Sequence, residues 1–200
     1  MKSVAINGEL RSAIGKKDSK KLRAEEKVPC VLYGGEEPIH FQADAAEFRK
    51  IVYTPNVYLI NLTVDGKEHT AIMQDIQWHA VEEQILHIDF LKVDPTKPIK
   101  VEVPVKVEGY AKGMRAGGKM KLNLRRLKVK GLATDLPDSI KLNIDHLELG
   151  QSIKVGQISV DNLEIMNSKS IPAVTIMITR AARAAMNAAA AATPAKGKKK

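Results

Sequence analysis

Cysteine is almost missing from this chain. Cys30 is the only one in 200 residues. A lone thiol excludes an intrachain disulfide and any zinc site built on cysteines, and it fits a reducing cytoplasm. Aromatic residues are scarce as well, at 4% of the chain, although a hydrophobic share of 44% is enough to build a real core. No apolar run approaches the ~18 residues of a membrane span. The longest, IPAVTIMI at 171–178, has the length of a strand and is interrupted by Pro172 and Thr175. The N-terminal MKSVAINGEL lacks the apolar stretch of a signal peptide. The five histidines, His40, His69, His79, His87 and His146, form no H-E-x-x-H or comparable ligand pattern, so no metal and no cofactor is expected. No Ser or Cys stands in a nucleophile motif, which argues against an enzyme. One segment comes close to a phosphate-binding loop: GMRAGGKM, 113–120. Met120 stands where the metal-binding hydroxyl should be, and an alternating strand, KLNLRRLKV, follows in place of a helix. The glycines therefore read as a turn between strands, with Lys112, Arg115, Lys119 and Lys121 around it. No small-molecule substrate is expected.

What is present is positive charge in blocks. The chain carries +9 overall. Residues 1–35 carry a net of +4, 36–91 a net of −7, 92–130 a net of +9, 131–179 a net of −3 and 180–200 a net of +6. One such block is as well explained by solubility. Three, one of them an acid-free tail, point to a polyanion partner.

Residues 4–10 read as a strand. A short helix over KKLRAEE follows, with Asp18 or Ser19 as its cap. Val28 to Tyr33 reads as a strand closed by Gly34-Gly35, and 38–42 as a short extended piece. Asp44 then caps a second helix, AAEFRKIVY, with Phe48, Ile51 and Val52 on one apolar face. VYLINLTV and KEHTAIMQDIQW flank Asp65-Gly66, a two-residue loop suited to a primed hairpin turn. Residues 84–93 alternate as another strand. DPTKP, 94–98, reads as a linker between a first domain, 1–93, and a second, 99–180. In the second, VEVPVKVEG, LKVKGLA, IKLNI, QSIKVGQI and PAVTIMI alternate in period two, which predicts an all-β domain without long helices. Residues 181–200 form an Ala/Lys-rich tail, disordered or helical when bound.

The candidate functional residues cluster in 9–35 and 84–90. Lys16, Lys17, Lys20, Lys21 and Arg23 form either a solvated helix face or a phosphate-binding one. Arg11 adds a planar donor fork suited to phosphate or guanine. Tyr33 is either a strand-end core residue with a wet hydroxyl or a stacking and donor group for RNA. His87 and Asp89 are two apart on a strand and so share a side. They read as a surface pair, as a catalytic pair without a nucleophile, or as polar readers of a groove edge, where guanine amino groups and ribose hydroxyls supply donors.

A set of motifs gives these residues a family. Glu9-Leu10-Arg11, Gly15-Lys16, Ser19-Lys20-Lys21-Leu22-Arg23, Val28 to Gly35, Gln74 to Gln77 and His87 to Phe90 occur in order. The chain resembles the bacterial large-subunit ribosomal proteins that bind 5S rRNA, in the long two-domain form called Ctc or general stress protein. VEVPV, GMRAGGKM and DHLELGQSI resemble that form's second domain, so the likeness covers roughly residues 3–165. It implies a small N-terminal β-barrel with two or three short helices and a non-enzymatic role in the large subunit, on loop E of 5S rRNA in the central protuberance. The implied RNA contacts are Arg11, Lys16, Ser19, Lys20, Lys21, Arg23, Tyr33, Gln77, His87 and Asp89. Further contacts with neighbouring rRNA and ribosomal proteins are expected through the second domain and tail, with Lys-rich 119–130 as the candidate in the second domain. No membrane contact is expected. A stress-induced interaction module working off the ribosome is the alternative. Lys20 and Lys21 stand where arginine is common, Cys30 where a small residue is usual, and Trp78 at a place often basic.

Overall fold

In the computed structural model, which describes residues 2–35 and 37–184, short helices interrupt an otherwise β-stranded chain. The mainly β class read from the sequence is the class observed. Six strands make the first part: β1 (Lys2–Leu10), β2 (Lys27–Tyr33), β3 (Ile39–Asp44), β4 (Tyr58–Val64), β5 (Lys67–Trp78) and β6 (Ile85–Lys92). They close into a barrel in the order β1-β3-β2-β6-β5-β4. β1 returns to β4 in parallel, with Lys2 opposite Tyr58 and Gly8 opposite Val64. β2 and β6 are also parallel, and the remaining neighbours are antiparallel. The Asp65-Gly66 turn is formed as expected, with φ of 46° and 80°, the two positive values a type I′ turn requires. Gly34 ends β2 at φ 93°, where a side chain would be strained and would also press on Leu91.

Alternation fills the barrel. Ile6, Cys30, Phe41, Ile60, Leu62, Ile88 and Phe90 point inward and are buried. The chain has three phenylalanines, and all are in this core. Phe90 meets Phe41 at 5.6 Å and Phe48 at 6.1 Å between ring centres, both tilted, a separation at which ring pairs attract. Phe48 comes from helix α2 (Ala45–Val52), which buries Phe48 and Ile51 on its apolar face.

Both helix starts differ from the reading above. Helix α1 covers Lys16–Ala24, with Gly15 at its N-terminal boundary and no side-chain cap. Its first backbone bond runs from Ser19 N to Gly15 O, 3.0 Å. Asp18 lies in the first turn, where a carboxylate suits the helix dipole, and the Ser19 hydroxyl is engaged by Arg11. Asp44 does flank α2, but its side chain makes no capping bond.

The chain divides into two compact units. One holds the barrel and runs to Pro104, together with 128–139 and 162–164. The other holds Val105–Leu127, Ile140–Asp161 and the described residues from Ile165. Beyond the barrel come β7 (Ile99–Glu108), helix α3 (Lys112–Arg115), β8 (Lys119–Leu122), β9 (Arg126–Gly131), β10 (Ile140–Asn143), β11 (Ser152–Lys154), β12 (Glu164–Ile165) and β13 (Pro172–Met177). They form a four-stranded sheet, β10-β7-β9-β12, and a three-stranded sheet, β11-β13-β8. KLNLRRLKV is thus two strands in two sheets, where one was expected. The break has a cause: the Asn123 and Leu124 amides both donate to Ala173 O, and the Asn123 side chain donates to Thr175 Oγ1 at 2.9 Å, turning the backbone off β8. Of the glycines of GMRAGGKM, Gly113 lies within the single turn of α3, while Gly117, at φ 85°, and Gly118 lead into β8. QSIKVGQI is strand only to Lys154 and then a turn of 3₁₀ helix, Val155–Gln157. At 94–98 the backbone makes a turn in which Lys97 N donates to Asp94 O, 3.1 Å. Past Ala184, the expectation of an ordered or disordered tail lies outside the described residues.

Trp78, the only tryptophan, sits on β5 and reports on the barrel. Phe90→Ala should destabilise the barrel by about 3–5 kcal/mol, the usual cost of deleting a fully buried ring. Urea unfolding followed by Trp78 emission measures this, and an unchanged midpoint would contradict it.

Candidate nucleic-acid interface

The barrel presents an outer face on three adjacent strands, β2, β6 and β5. Residues opposite each other in a sheet share a face. Val31 pairs with Asp89 and Tyr33 with Leu91. Asp75 pairs with Asp89 and Gln77 with His87. Ile88 and Phe90 are buried between them in sequence, so His87, Asp89, Tyr33, Gln77 and Asp75 all turn outward. His87 Nδ1 lies 2.8 Å from Asp89 Oδ1, with both side chains half-buried. The carboxylate can only accept, so Nδ1 carries the proton and Nε2 faces away from the pair. The Tyr33 hydroxyl titrates above its ordinary value, first through burial and then through the Asp89 and Asp75 carboxylates. It is therefore held as a donor.

Helix α1 packs along β2. Lys16, Lys17, Lys20 and Lys21 are exposed on it, while Ser19 and Arg23 are half-buried. Lys16 and Lys20 are four residues apart, as are Lys17 and Lys21. Like charges so spaced cost a helix roughly 0.2–0.5 kcal/mol per pair. None of the four lysines has an ion-pair partner among the described residues. An external anion would relieve this repulsion.

The two arginines are less free than the sequence suggested. Arg11 lies just past β1. Its backbone amide donates to His40 O at 3.1 Å and its Nη2 to Ser19 Oγ at 3.0 Å. Its Nε is buried without a partner. Arg23 donates through Nε and Nη2 to Leu86 O, at 3.0 and 2.9 Å. That fork ties the end of α1 to the start of β6, and Gln84 Nε2 returns a bond to Arg23 O at 3.4 Å. Three of the five guanidinium N–H groups of Arg23 are left for another acceptor. Arg11 and Lys21 share the lining of one shallow cleft with Asp18 and Gln42.

Asp75 was missed. The signal was hidden by a bulge, because β5 shifts register between Met73 and Asp75. Met73 and Ile76, three apart, both pack on the core, and the shift turns Asp75 and Gln77 outward. Trp78 is 41% exposed and stacks obliquely on Tyr53, ring centres 5.9 Å apart. Cys30 is fully buried, and burial pushes its thiol well up, so it is inert packing.

Residues 6–90 match the model of the Ribosomal L25p family, and residues 98–180 match the C-terminal domain of ribosomal protein TL5. The chain is 45% identical over 195 residues to the large ribosomal subunit protein bL25 of Bacteroides fragilis, covering 94% of this chain and 99% of that protein. It is 44% identical to the bL25 of Azobacteroides pseudotrichonymphae, covering 94% and 100%. It is also 44% identical to that of Cytophaga hutchinsonii, covering 95% and 99%. The chain belongs to the Ribosomal L25p family. Ribosomal L25p proteins are ribosomal components and not enzymes, so the His87–Asp89 pair is no catalytic dyad.

Arg23→Ala should lower barrel stability by about 1.5–3 kcal/mol, since it removes charge-assisted bonds to a backbone carbonyl. Lys20→Ala should leave stability within about 0.5 kcal/mol. Parallel thermal melts check the pair; equal melting temperatures would show that the Leu86 tie contributes nothing.

Proposed function

We propose that the protein is a structural constituent of the large ribosomal subunit, ribosome-associated in the cytoplasm, and that its barrel holds 5S rRNA at the loop E region. Membership of the Ribosomal L25p family supports the first statement, and favours it over an interaction module working off the ribosome. The observation that carries the second is the outer face of β2, β6 and β5. There a donor hydroxyl, a fixed His–Asp pair and an amide lie side by side, next to a helix of unpaired lysines.

The two parts do different work. Lys16, Lys20 and Lys21 neutralise phosphates and release counterions, which gives affinity and salt dependence. Arg11 holds Ser19, and Arg23 holds β6, so that α1 keeps its place beside the groove readers. A carboxylate is repelled by phosphates except where it meets a donor. Beyond the bond from His87, the oxygens left on Asp89, with Asp75 beside it, therefore suit guanine amino groups or ribose hydroxyls, both offered by the RNA minor groove. His87 Nε2, Tyr33 and Gln77 add further groove contacts. Phosphates position the complex and these five groups set its register.

Residues 1–93 form the RNA-binding domain in this reading, 94–98 a linker and 99–180 the second domain. The separate matches at 6–90 and 98–180 support that division.

The test is titration of the full chain with a loop E fragment across a salt series, read by Trp78 emission and RNA anisotropy. Lys20→Ala with Lys21→Ala should flatten the log–log salt slope by about two, whereas Asp89→Ala should cost ~1–3 kcal/mol without changing the slope. Affinity no greater than for an unrelated duplex, and indifferent to Asp89→Ala, would overturn the reading.

A further inference from the structure

The lysines of 119–130 do not form one surface. Those on β9 are compensated: Lys128 pairs with Glu102 at 3.6 Å and Lys130 with Glu164 at 4.0 Å. On β10, Lys141 is held by Glu108 at 2.7 Å. The sheet β11-β13-β8 is different. None of its three strands, SIK, PAVTIM and KMKL, contains an Asp or Glu. The register places Lys121 beside Thr175, Lys119 beside Met177 and Ser152 on the other flank of Thr175. Met120, Val174, Ile176 and Ile153 alternate with these on the opposite side, where Val174, Ile176 and Ile153 are buried. Lys154, two past Ser152, is exposed like Lys119 and Lys121. None of these three lysines has an ion-pair partner among the described residues.

We infer that this sheet face is a second RNA-binding surface, which grips the phosphate backbone of a helical rRNA segment through Lys119, Lys121 and Lys154, with Thr175, Ser152 and Asn123 as hydroxyl and amide partners. The spacing suits that task. Alternate residues along β8 are ~6.8 Å apart, and β8 and β11 lie ~9.5 Å apart across β13. The lysines thus stand as separate point charges across one face of the sheet. An acidic protein would satisfy the same charges, but protein interfaces are depleted of lysine and centre on apolar or aromatic anchors. This face centres on a threonine and has only Met177 as an exposed apolar group. Wet, cationic and hydroxyl-bearing surfaces are the mark of nucleic-acid interfaces. The contacts made would be to backbone, with no base edge read, so the surface adds affinity without sequence preference. The inference rests on the ribosomal reading only in taking RNA as the polyanion.

The experiment uses the full chain with its barrel first saturated by the loop E fragment. A labelled plain RNA duplex without internal loops is then titrated across a salt series. Lys119→Ala/Lys121→Ala/Lys154→Ala should flatten the salt slope for the duplex by about two to three. The matching triple arginine variant should keep the slope, and Lys141→Ala, whose charge is already paired, should not alter it. Trp78 emission on loop E binding should be the same in all of them. Equal slopes for wild type and the triple alanine variant would overturn the inference. So would displacement of the duplex by polyglutamate at equal charge concentration, which would make the partner an acidic protein. If wild type gives no loop E response while the duplex still binds with the lysine dependence described, the barrel reading fails and this one stands.

Discussion

The two-residue period of β6 is the constraint on which the rest depends. Ile88 and Phe90 are wholly buried, and Phe90 joins the rings of Phe41 and Phe48. Once those two are inside, His87 and Asp89 have no choice but to face out, at a separation that lets the imidazole meet the carboxylate. A slip of one residue would exchange the two sets and expose the Phe90 ring. Neighbouring strands inherit the same fixing: β2 brings Tyr33 alongside, and β5 brings Gln77 and Asp75. The polar face is thus held rigid by the apolar one behind it.

α1 depends on β6 as well. A lysine-rich nine-residue helix with no buried residue has little reason of its own to be ordered. It is pinned at both ends: Arg11 holds Ser19 near the start, and Arg23 clasps Leu86 O at the end. These arginines make the lysines a fixed array. Lysine in place of Arg23 would lose the planar fork that reaches one acceptor with two donors.

Much of this was legible in the sequence, because each strand's pattern is local. The Asp65-Gly66 hairpin and the shared side of His87 and Asp89 follow from turn chemistry and alternation alone. What was hidden was non-local. Asp75 was masked by a bulge that breaks the alternation of β5. The use of Arg23 as an internal clasp depends on a carbonyl 63 residues away. Asp18 and Ser19 have the residue types of a cap, yet the helix begins earlier, at Lys16, and the Ser19 hydroxyl accepts from Arg11. KLNLRRLKV alternates well enough to be one strand, and only the distant Thr175 and Ala173 bend it into two.

The connectivity of the barrel bears on how it comes to be made. Its two parallel seams join distant segments, Lys2 with Tyr58 and Cys30 with Ile88. Such a topology has high contact order, and loop-closure entropy must be met before most pairings can form. During synthesis β2 has only β3 beside it until β6 has emerged, so one of its edges stays open for more than fifty residues of growth. The outer face of β2, β6 and β5 cannot exist before that point, because His87 and Asp89 arrive on the last barrel strand to be added. The lysines of α1 emerge much earlier. On the proposed function, nascent chains would thus carry generic attraction for polyanions first and acquire discrimination only when the barrel shuts.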